Sequence, residues 1–512
     1  MTGRREQNTE TELKLAISPA GAKRVAEHAA FRPPQASEPK SGRIVTTYFD
    51  TPNRDLARRG LSLRVRRAGA KRIQTVKTEG DGGAAASRGE WEWTLSGEKP
   101  DLGLAAGTPI GKELPPDIDK ALEPVVVTDV VRTTRTVKVD GTTIEAALDK
   151  GSIEAGDAKE AVHELELELR QGTPGALYRL ALELNEATPL SVEVESKAAR
   201  GYRLTDRSAP PVSKPSDIDL DPDIDGIDGF RAIVANGLGH LTANRAAARA
   251  GNAEGIHQTR VAMRRLRSAL RLFEPRLETH ATAIFQSQLQ RMGRVIGEAR
   301  DWDVFCLEML PKSLDELDKA DWVRSIRKAA NARRLAAEAK AARELDAASF
   351  TELMLGLSAW IEEGREQRRS LGDKRLEQSL SDIAPGLLDR MDGKAESRAR
   401  RIGPKSPAEE LHPLRKSLKK LRYSVEFLGS LYSPKPVKRF LKPLKKLQQS
   451  LGVINDSATA VRFAERLAEE ERVDLPVAVA RLAHVWEHDA AEARRGLDEQ
   501  LSAFKGEERF WR

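Results

Sequence analysis

Residues 9–15 read "TETELKL", a stretch in which charged and apolar side chains alternate. An alternation with a period of two places successive side chains on opposite faces of a β-strand. Glu10, Glu12 and Lys14 therefore share one face, and the two leucines lie on the other. Half-buried strands normally turn such a polar face to solvent, so this stretch alone leaves open whether the face is solvated or forms a site.

Length and composition limit the number of domains, the cellular location and the type of metal site that we expect. A chain of 512 residues is too long for one hydrophobic core and predicts two or three domains. No apolar run approaches the roughly 18 residues of a membrane span, and the first residues lack the pattern of a secretory signal, so we expect a cytoplasmic protein that avoids the membrane. The single cysteine, Cys306, and the 8 His residues show no zinc-type spacing, so any metal would be a hard cation on oxygen ligands.

The segment 208–225, "SAPPVSKPSDIDLDPDID", has no apolar period and predicts a linker. Before it, alternating stretches predict about nine strands. After it, Ala, Leu, Arg, Lys and Glu at helical spacing predict an all-α region. We therefore expect one domain at 8–207 and a helical domain at 226–505. The predicted strands are "TELKLAI", "RIVTTYF", "LSLRVRR", "RIQTVKT", "RGEWEWTL", "RTTRTVKV", "TTIEAALD", "HELELEL" and "LSVEVESK".

The predicted strands segregate their charges. Arg64 and Arg66 share one face of their strand, and Glu164 and Glu166 share one face of theirs, with apolar residues behind them. A solvated face usually mixes Thr, Ser, Lys and Gln, so this grouping favours a site. A closed antiparallel barrel of about eight strands has room inside for a small ligand. If the apolar faces pack outward against helices, the charged faces line a tunnel in an α+β domain.

The charge types indicate what such a tunnel would hold. Guanidinium and ammonium groups on several strands would surround a multiply charged anion such as an oligophosphate. Carboxylates repel that anion unless a divalent cation lies between them, and Mg²⁺ and Mn²⁺ join carboxylates to phosphates. The pattern therefore predicts a metal, a phosphate chain and basic residues in one constellation.

The first region resembles the CYTH family, the triphosphate tunnel metalloenzymes, over about residues 8–205. The resemblance begins at the ExExK pattern of Glu10, Glu12 and Lys14 and follows the order of motifs in that family. The further motifs are "YFDT" from Tyr48, "LRVR" from Leu63, "TVK" ending at Lys77, "RGEWE" from Arg88, "LDKG" from Leu148, "ELELE" from Glu164 and "SKAARGY" from Ser196.

The resemblance implies a role for each matched residue, with Lys14, Glu10, Glu12 and Glu166 as the catalytic set. The implied metal ligands are Glu10, Glu12, Asp149, Glu164 and Glu166. The implied triphosphate-binding residues are Lys14, Arg64, Arg66, Lys77, Arg132, Lys197 and Arg200. On one strand, parity favours Arg132 over Arg135 for the tunnel. Three further acids are either ligands or partners that hold basic side chains: Glu90, Glu92 and Glu168.

The helical region repeats itself. "IHQTRVAMRRLRSALRLF", from residue 256, matches "LHPLRKSLKKLRYSVEFL", from residue 411, an offset of 155. The same offset carries "VIGEARDWDV" onto "SLGVINDSAT" and superposes Asp301 on Asp456. An offset preserved in two motifs predicts a duplication that forms two helical bundles. The repeats are expected at about 226–392 and 408–505.

Each repeat carries basic side chains at spacings of three or four residues along a helix. One such stripe is usually a solvated face, but two stripes without neutralising acids favour a polyanionic partner. Both histidines of the pattern are expected to contact phosphate or the helix start, not a metal. The predicted binding residues are His257, Arg260, Arg264, Arg265, Arg267 and Arg271, then His412, Arg415, Lys416, Lys419, Lys420, Arg422, Lys442 and Lys446.

This repeat resembles the CHAD domain, the conserved-histidine α-helical domain, over about residues 226–505. The resemblance implies binding of long-chain inorganic polyphosphate and association with polyphosphate granules. The second copy departs from the pattern at Lys419 and Lys420, where the first has arginines, and lysine binds phosphate as a point charge. The basic helices contain few aromatic residues, which disfavours nucleic acid as the partner.

Together the two resemblances imply a metal-dependent inorganic triphosphatase that acts on tripolyphosphate and carries a polyphosphate-binding module. An organic triphosphate is an alternative substrate, because class IV adenylate cyclases and thiamine-triphosphatases belong to the same superfamily. A third interpretation is a non-enzymatic scaffold that binds polyphosphate or nucleic acid. The predicted tunnel acids argue against that scaffold, because a pure anion binder gains nothing from carboxylates.

Overall fold

The computed structural model describes residues 11–78, 90–114, 117–314, 321–366, 374–403, 406–471 and 476–512. Glu10, the first acid of the ExExK pattern, lies outside the described residues. Tertiary contacts divide the chain into two compact units. The first unit comprises 1–211 and 346–363, and the second comprises 212–345 and 364–512.

The first unit is built on one antiparallel sheet in the order β5-β4-β3-β2-β6-β7-β8-β1-β9. All nine predicted strands are present. Three of them, β6 to β8, are 14 to 17 residues long and extend well beyond the predicted stretches. The strands are β1 Glu12–Ile17, β2 Lys40–Asp50, β3 Leu61–Ala68, β4 Lys71–Thr78, β5 Glu90–Thr94, β6 Glu123–Val139, β7 Thr142–Ala155, β8 Ala158–Gln171 and β9 Leu190–Val192.

The prediction of a closed eight-stranded barrel was wrong in its strand count and closure. Among the described residues the sheet has nine strands, with β5 and β9 as its two edges. The last predicted strand, 190–197, forms only three strand residues. Its remainder turns away because Ser196 is the N-cap of a helix that begins at Lys197, so this edge is too short to continue the ladder.

The helices are α1 Pro19–Ala26, α2 Pro174–Ala187, α3 Lys197–Asp206, α4 Gly226–Arg249, α5 Ala253–Phe273, α6 Thr279–Val304, α7 Leu310–Leu314, α8 Asp321–Asp346, α9 Ala348–Glu366, α10 Leu380–Ala399, α11 Ala408–Leu428, α12 Pro434–Glu471, α13 Pro476–Arg495 and α14 Leu497–Gly506. In the first unit, α1 lies between β1 and β2, α2 between β8 and β9, and α3 after β9, while most of the other helices build the second unit.

The main core of the first unit lies on the outer face of the sheet, as the alternation predicts. Leu15 of β1 and Leu167 of β8 are fully buried in a cluster with Leu180 of α2. Helix α9 contributes Leu355 and Ala359 to the same cluster, although it follows much of the second unit in sequence. Burying these leucines outward leaves the charged side chains of the same strands on the inner face.

From residue 226 onward the second unit is built of helices, as predicted, with one isolated β-bridge between Asp225 and Ser379 among its described residues. The segment 208–221 forms neither helix nor strand. Helices α5 and α11 are both 21 residues long and begin at 253 and 408, an offset of 155 that matches the sequence repeat. None of the helices in the described part of the chain has the length and apolar character needed to cross a membrane.

Candidate functional site

Three carboxylates lie close together on neighbouring strands of the first unit. Asp149 of β7 pairs in register with Glu164 of β8, and Glu166 follows on the same face. Oxygen atoms of the three side chains all lie within 4.8 Å of one another, and the residues are only 1%, 2% and 8% exposed. These residues are termed the acid trio. Negative charges this close and this buried require cations beside them.

Lys197 supplies the first of these cations. Its Nζ lies 3.1 Å from Asp149, 2.5 Å from Glu164 and 2.9 Å from Glu166, so one ammonium group contacts every member of the acid trio. Burial alone would lower the pKa of Lys197, but the three carboxylates outweigh burial and raise its pKa above the usual range. Lys197 is therefore charged.

Two arginines complete the neutralisation of the acid trio. Arg132 of β6 donates two hydrogen bonds of 2.7 Å to Asp149 and also contacts Glu166. Arg200 of α3 contacts Glu164. Burial would raise the pKa of Glu166, but the lysine beside it and Arg132 hold that pKa well below its usual range. Glu166 is therefore held in its ionised form.

Helix α3 brings two of these cations to the sheet. The side chain of Ser196 caps the helix, which fixes Lys197 as its first residue. Gly201 lets the helix lie against β6, because a Cβ at this position would come within 2.3 Å of the Val126 side chain. The close approach places the first turn of α3 over the acid trio.

Asp50 of the "YFDT" motif holds the other end of α3. Its fully buried carboxylate accepts backbone N–H groups from Thr51 at 2.8 Å and Leu56 at 2.9 Å. It also accepts the hydroxyl of Tyr202, a residue of α3, at 2.9 Å. Asp50 therefore has a positioning role, because it ties the loop after β2 to the helix that carries two of the cations.

Basic side chains occupy the same inner face on strands at both sides of the acid trio. Arg64 of β3 and Lys77 of β4 share the carboxylate of Glu90, at 3.2 Å and 2.6 Å. Lys14 of β1 lies 3.4 Å from Glu12. Glu90 thus acts as the partner that holds two basic side chains, which was one of the two roles that the sequence left open.

Arg66 differs from its neighbours. It makes no hydrogen bond or ion pair with any residue in the described ranges. Burial, followed by the charges of Arg64 and Arg132, lowers its pKa. A half-buried guanidinium among other cations, offset only by the charge of Glu92 and without a direct carboxylate contact, is a favourable place for an anion.

The charges also show that the sheet curls around a shared interior. Burial and Arg64 lower the pKa of Lys77, and the charge of Lys14 contributes to the same shift. Lys77 is on β4 and Lys14 is on β1, which stand six places apart in the sheet order. The two ammonium groups can interact only if these strands face each other across the concave side of the sheet.

The acid trio has the donor chemistry of a divalent-cation site. Carboxylate oxygens are the ligands that Mg²⁺ and Mn²⁺ prefer, and a positive group, the Lys197 ammonium, already lies among them. Asp149, Glu164 and Glu166 are therefore the residues that would hold the cation. Glu12 is not part of this close group and pairs with Lys14 instead.

In the second unit, two equivalent ion pairs mark the repeat. Arg260 of α5 lies 2.5 Å from Asp301 and donates to the carbonyl of Gly297 at 3.0 Å. Arg415 of α11 lies 3.7 Å from Asp456. Arg415 and Asp456 follow their counterparts by 155 residues, so the superposition inferred from sequence holds in three dimensions.

The two basic stripes meet at a cavity of about 300 Å³. Arg264 of α5 and Lys419 of α11 come from equivalent positions of the two repeats, and no acid lines the cavity. It is termed the basic cavity. Its lining residues are His257, Val261, Arg264, Arg415, Lys419, Arg422, Tyr423, Lys445, Gln448 and Gln449.

The basic cavity leaves its cations with few counter-charges, since Arg415 lies 3.7 Å from Asp456 and Arg422 lies 3.4 Å from Glu426, but no acid lines the cavity itself. Burial, Arg264 and Arg415 lower the pKa of Lys419 to about 6. In the described structure, the buried Nε atoms of Arg264, Arg415 and Arg422 have no hydrogen-bond partner. Unpartnered buried donors among like charges are costly, and an anion would satisfy them.

Comparison with known proteins gives each unit a family. Residues 8–202 match the CYTH domain family, and residues 232–465 match the CHAD domain family. The chain carries a CYTH domain followed by a CHAD domain. The resemblance inferred from the motifs is therefore confirmed.

The proteins similar to this chain include one relative for each domain. An inorganic triphosphatase of Haemophilus influenzae is 32% identical over 197 residues, which cover 38% of this chain and 54% of that protein, so the chain spans about half the length of this curated relative. The crystal structure of the CHAD domain from the plant Ricinus communis is 27% identical, with a TM-score of 0.51, and the match covers 59% of this chain and 98% of that one.

In the CYTH domain, the structure gathers most of the residues predicted from the sequence on one inner face. Lys197 and Arg200 contact acids directly, so their predicted contact with triphosphate stays a prediction, as do the other ligand roles. Arg135 donates to the carbonyl of Phe31 at 2.6 Å, away from that face.

In the CHAD domain, several predicted binding residues lie away from the basic cavity. Arg265 is 5% exposed and pairs with Glu426 at 3.3 Å. Lys442 and Lys446 are exposed and do not line the cavity. His412 hydrogen-bonds Asn455 at 2.9 Å. The remaining predicted residues outside the lining are Arg260, Arg267, Arg271, Lys416 and Lys420.

Sequence reasoning missed three uncharged polar residues that line the basic cavity: Tyr423, Gln448 and Gln449. The helical spacing contained a signal for Tyr423, which follows Lys419 by four residues and therefore lies on the same face of α11. The glutamines are on α12, and nothing in their local sequence relates them to the basic stripes.

Proposed function

We propose that the CYTH domain hydrolyses inorganic triphosphate with Mg²⁺ or Mn²⁺, and that the CHAD domain binds long-chain inorganic polyphosphate. The observation that carries the first half is an interior in which a buried acid trio lies beside basic residues from β1, β3, β4 and β6. This combination suits an anion that arrives with a divalent cation. The activity named for the Haemophilus influenzae relative supports the same substrate class.

In the CYTH domain, we assign anion binding to the basic residues and metal binding to the acidic residues. Arg66 has no carboxylate partner in the described chain and offers its guanidinium fork to phosphate oxygens. Lys14, Arg64 and Lys77 bring further positive charge to the same interior and would stabilise negative charge as it shifts among those oxygens. A divalent cation on the acid trio would polarise the phosphate and lower the pKa of a bound water. Glu10 and Glu12 remain predicted ligands for that cation.

The CHAD proposal is carried by the basic cavity. Polyphosphate has a charge on every unit and no bases to be read, so a site needs only cations and hydrogen-bond donors. The buried Nε atoms of Arg264 and Arg415, which have no hydrogen-bond partner in the described structure, supply such donors. We propose that this cavity, extended by exposed lysines such as Lys442, associates the protein with polyphosphate granules.

One parallel assay tests the enzymatic half. Phosphate release is measured from tripolyphosphate, ATP, thiamine triphosphate and long-chain polyphosphate, each with Mg²⁺, with Mn²⁺ and with a chelator. We expect metal-dependent release from tripolyphosphate well above that from the others. Faster release from an organic triphosphate would move the assignment to that substrate, and no release from any of the four would refute the enzymatic half.

Calorimetry tests the binding half. Long-chain polyphosphate, heparin and duplex DNA are titrated at matched salt, and the polyphosphate titration is repeated at several salt concentrations. We expect polyphosphate to bind most tightly and its affinity to fall as salt rises, because counterions are released from the polyanion. Equal or tighter binding of DNA would refute polyphosphate as the partner.

A further inference from the structure

We propose that Lys197 is the resident cation of the acid trio in the metal-free protein, and that it exchanges the carboxylates for the triphosphate anion when a divalent cation binds. The proposal rests on the proposed triphosphatase function and adds to it a coupling between metal and anion binding. The observation that carries it is the Nζ of Lys197, which lies 2.5 to 3.1 Å from all three carboxylates.

The charge balance of the site requires such an exchange. Three carboxylates form the acid trio, and three cations of the described chain contact them directly: Lys197, Arg132 and Arg200. Arg200 also contacts Glu160, so the charges of this group are close to balanced before any metal arrives. A divalent cation adds two positive charges to this buried group, so a resident cation must leave or an anion must enter. Triphosphate supplies negative charge for the displaced cation to contact in place of the carboxylates.

Lys197 is the cation best suited to move. Arg132 is fixed by two parallel hydrogen bonds to Asp149 at 2.7 Å, and Arg200 divides its guanidinium between Glu164 and Glu160. Lysine instead ends in a compact charge on a flexible four-carbon stem that can turn without displacing the backbone. The Ser196 cap keeps its Cα at the start of α3 while the ammonium changes partners.

The exchange makes each ligand assist the other. Without triphosphate, the metal must displace an ammonium that has no other anion to contact. With triphosphate present, that ammonium gains phosphate oxygens in the same interior. Because coupling between two bound ligands is reciprocal, triphosphate tightens metal binding by the same factor as metal tightens triphosphate binding.

Metal titration of the full-length protein without any phosphate tests the first half. Mn²⁺ affinity is measured for wild type, Lys197→Gln and Lys197→Arg. The two methods are calorimetry and the electron paramagnetic resonance signal of free Mn²⁺. We expect Lys197→Gln to bind Mn²⁺ about tenfold or more tightly than wild type, because a competing buried charge is removed, and Lys197→Arg to bind no more tightly. Unchanged or weaker binding by Lys197→Gln, or equal tightening by both variants, overturns the proposal.

Matched controls locate the effect. Lys77→Gln removes a lysine of the same interior that pairs with Glu90 instead of the acid trio, and we expect a much smaller gain in Mn²⁺ affinity. Adding Glu166→Gln to Lys197→Gln should abolish the gain. If Lys197→Gln unfolds without metal, its thermal midpoint must rise more with Mn²⁺ than that of wild type, and an equal or smaller rise overturns the proposal.

Repeating the titration with imidotriphosphate, in which NH bridges block hydrolysis, tests the exchange itself. The anion should tighten Mn²⁺ binding more in wild type than in Lys197→Gln, and equal tightening in both overturns the exchange. None of these measurements uses turnover. A protein that hydrolyses no triphosphate would therefore refute the proposed function while the competition by Lys197 is judged separately.

Discussion

The two charged sites of this protein use similar basic side chains but differ in whether acids lie among them. In the CYTH domain, acids and bases interleave, so that Lys197 contacts three carboxylates and Glu90 holds two cations. In the CHAD domain, the basic cavity is lined without a single acid. The first arrangement neutralises itself and suits an anion that arrives with a metal. The second is compensated only in part, by Asp456 and Glu426 outside the lining, and suits an anion that arrives alone.

The pKa shifts of two lysines express this difference. Both are partly desolvated, and desolvation lowers a lysine pKa. The carboxylates around Lys197 reverse that effect and raise its pKa, whereas the arginines around Lys419 reinforce it and lower the pKa to about 6. Neighbouring charge, more than burial, therefore distinguishes the two sites.

Removing one member of the acid trio should have the largest effect and should affect only one domain. Glu166→Gln keeps the shape of the side chain but not its charge, and we expect the rate of tripolyphosphate hydrolysis to fall about 100-fold or more. Polyphosphate affinity should not change. Phosphate release and calorimetry measure the two properties.

A matched control for that variant is Glu154→Gln, which alters an exposed acid of β7 that pairs with Lys159 at 2.6 Å. Its turnover should equal that of wild type. Comparable losses in both variants would show that the acid trio has no special role.

Charge reversal in the basic cavity should give the second largest effect, now confined to the other domain. Arg264→Glu combined with Lys419→Glu replaces two central cations, and we expect polyphosphate to bind about 100-fold more weakly. Tripolyphosphate hydrolysis should remain as in wild type. Lys442→Glu combined with Lys446→Glu makes the same charge change outside the cavity and should cost much less. Equal losses from both pairs would mean that the cavity is not the main site.

The pH dependence of polyphosphate binding should give a smaller effect. Lys419 has a pKa of about 6 in the folded protein, and bound phosphate favours its charged form, so binding takes up a proton above that pH. We expect affinity to fall by up to about tenfold per pH unit between pH 6 and 8. Lys419→Arg, which stays charged, should bind with little pH dependence over this range. An unchanged pH profile in Lys419→Arg would contradict the prediction.

The same shift has a consequence for stability whose sign is opposite to that of binding. Between about pH 6 and the unperturbed lysine pKa of about 10.4, the unfolded chain holds more protons at this residue than the folded chain. The contribution of Lys419 to the free energy of unfolding therefore rises with pH across that window. Lys419→Met should remove this slope, as urea titrations at several pH values would show.

Arg265→Met should have the smallest effect on function, although the sequence pattern predicts Arg265 to bind phosphate. This arginine is buried against Glu426, so its loss should lower the free energy of unfolding by about 1–2 kcal/mol after allowance for the exposure of that carboxylate. Polyphosphate affinity should change less than twofold or so. Lys416→Met, which alters an exposed lysine, is the stability control. A large loss of polyphosphate affinity in Arg265→Met would show that Arg265 does belong to the binding site.

Parity along the strands predicted the faces of the CYTH site well. It assigned Arg64, Arg66 and Lys77 to the face that carries the acid trio, and preferred Arg132 to Arg135. It could not predict which acid each cation contacts, because partners across strands depend on register and on the docking of α3. The contact of Lys197 with three carboxylates follows from that docking, which Gly201 permits.

Helical spacing predicted the CHAD site less completely. The stripe placed Arg264 and Arg265 together, but adjacent residues point about 100° apart on a helix, and only Arg264 lines the cavity. The two glutamines of the lining come from α12, so their place depends on how three helices pack. Helical and strand patterns likewise could not predict whether the barrel closes, because closure depends on where β9 ends and α3 begins.

Helix α9 determines where the chain can be divided without disrupting the CYTH domain. Its residues Leu355 and Ala359 complete the apolar core of the CYTH domain from a position far downstream of the CYTH homology region. A fragment that stops at the linker would expose the part of that core that they cover. Recombination at the linker would therefore transfer an incomplete domain, and a transplantable CYTH module from this chain must carry α9 with it.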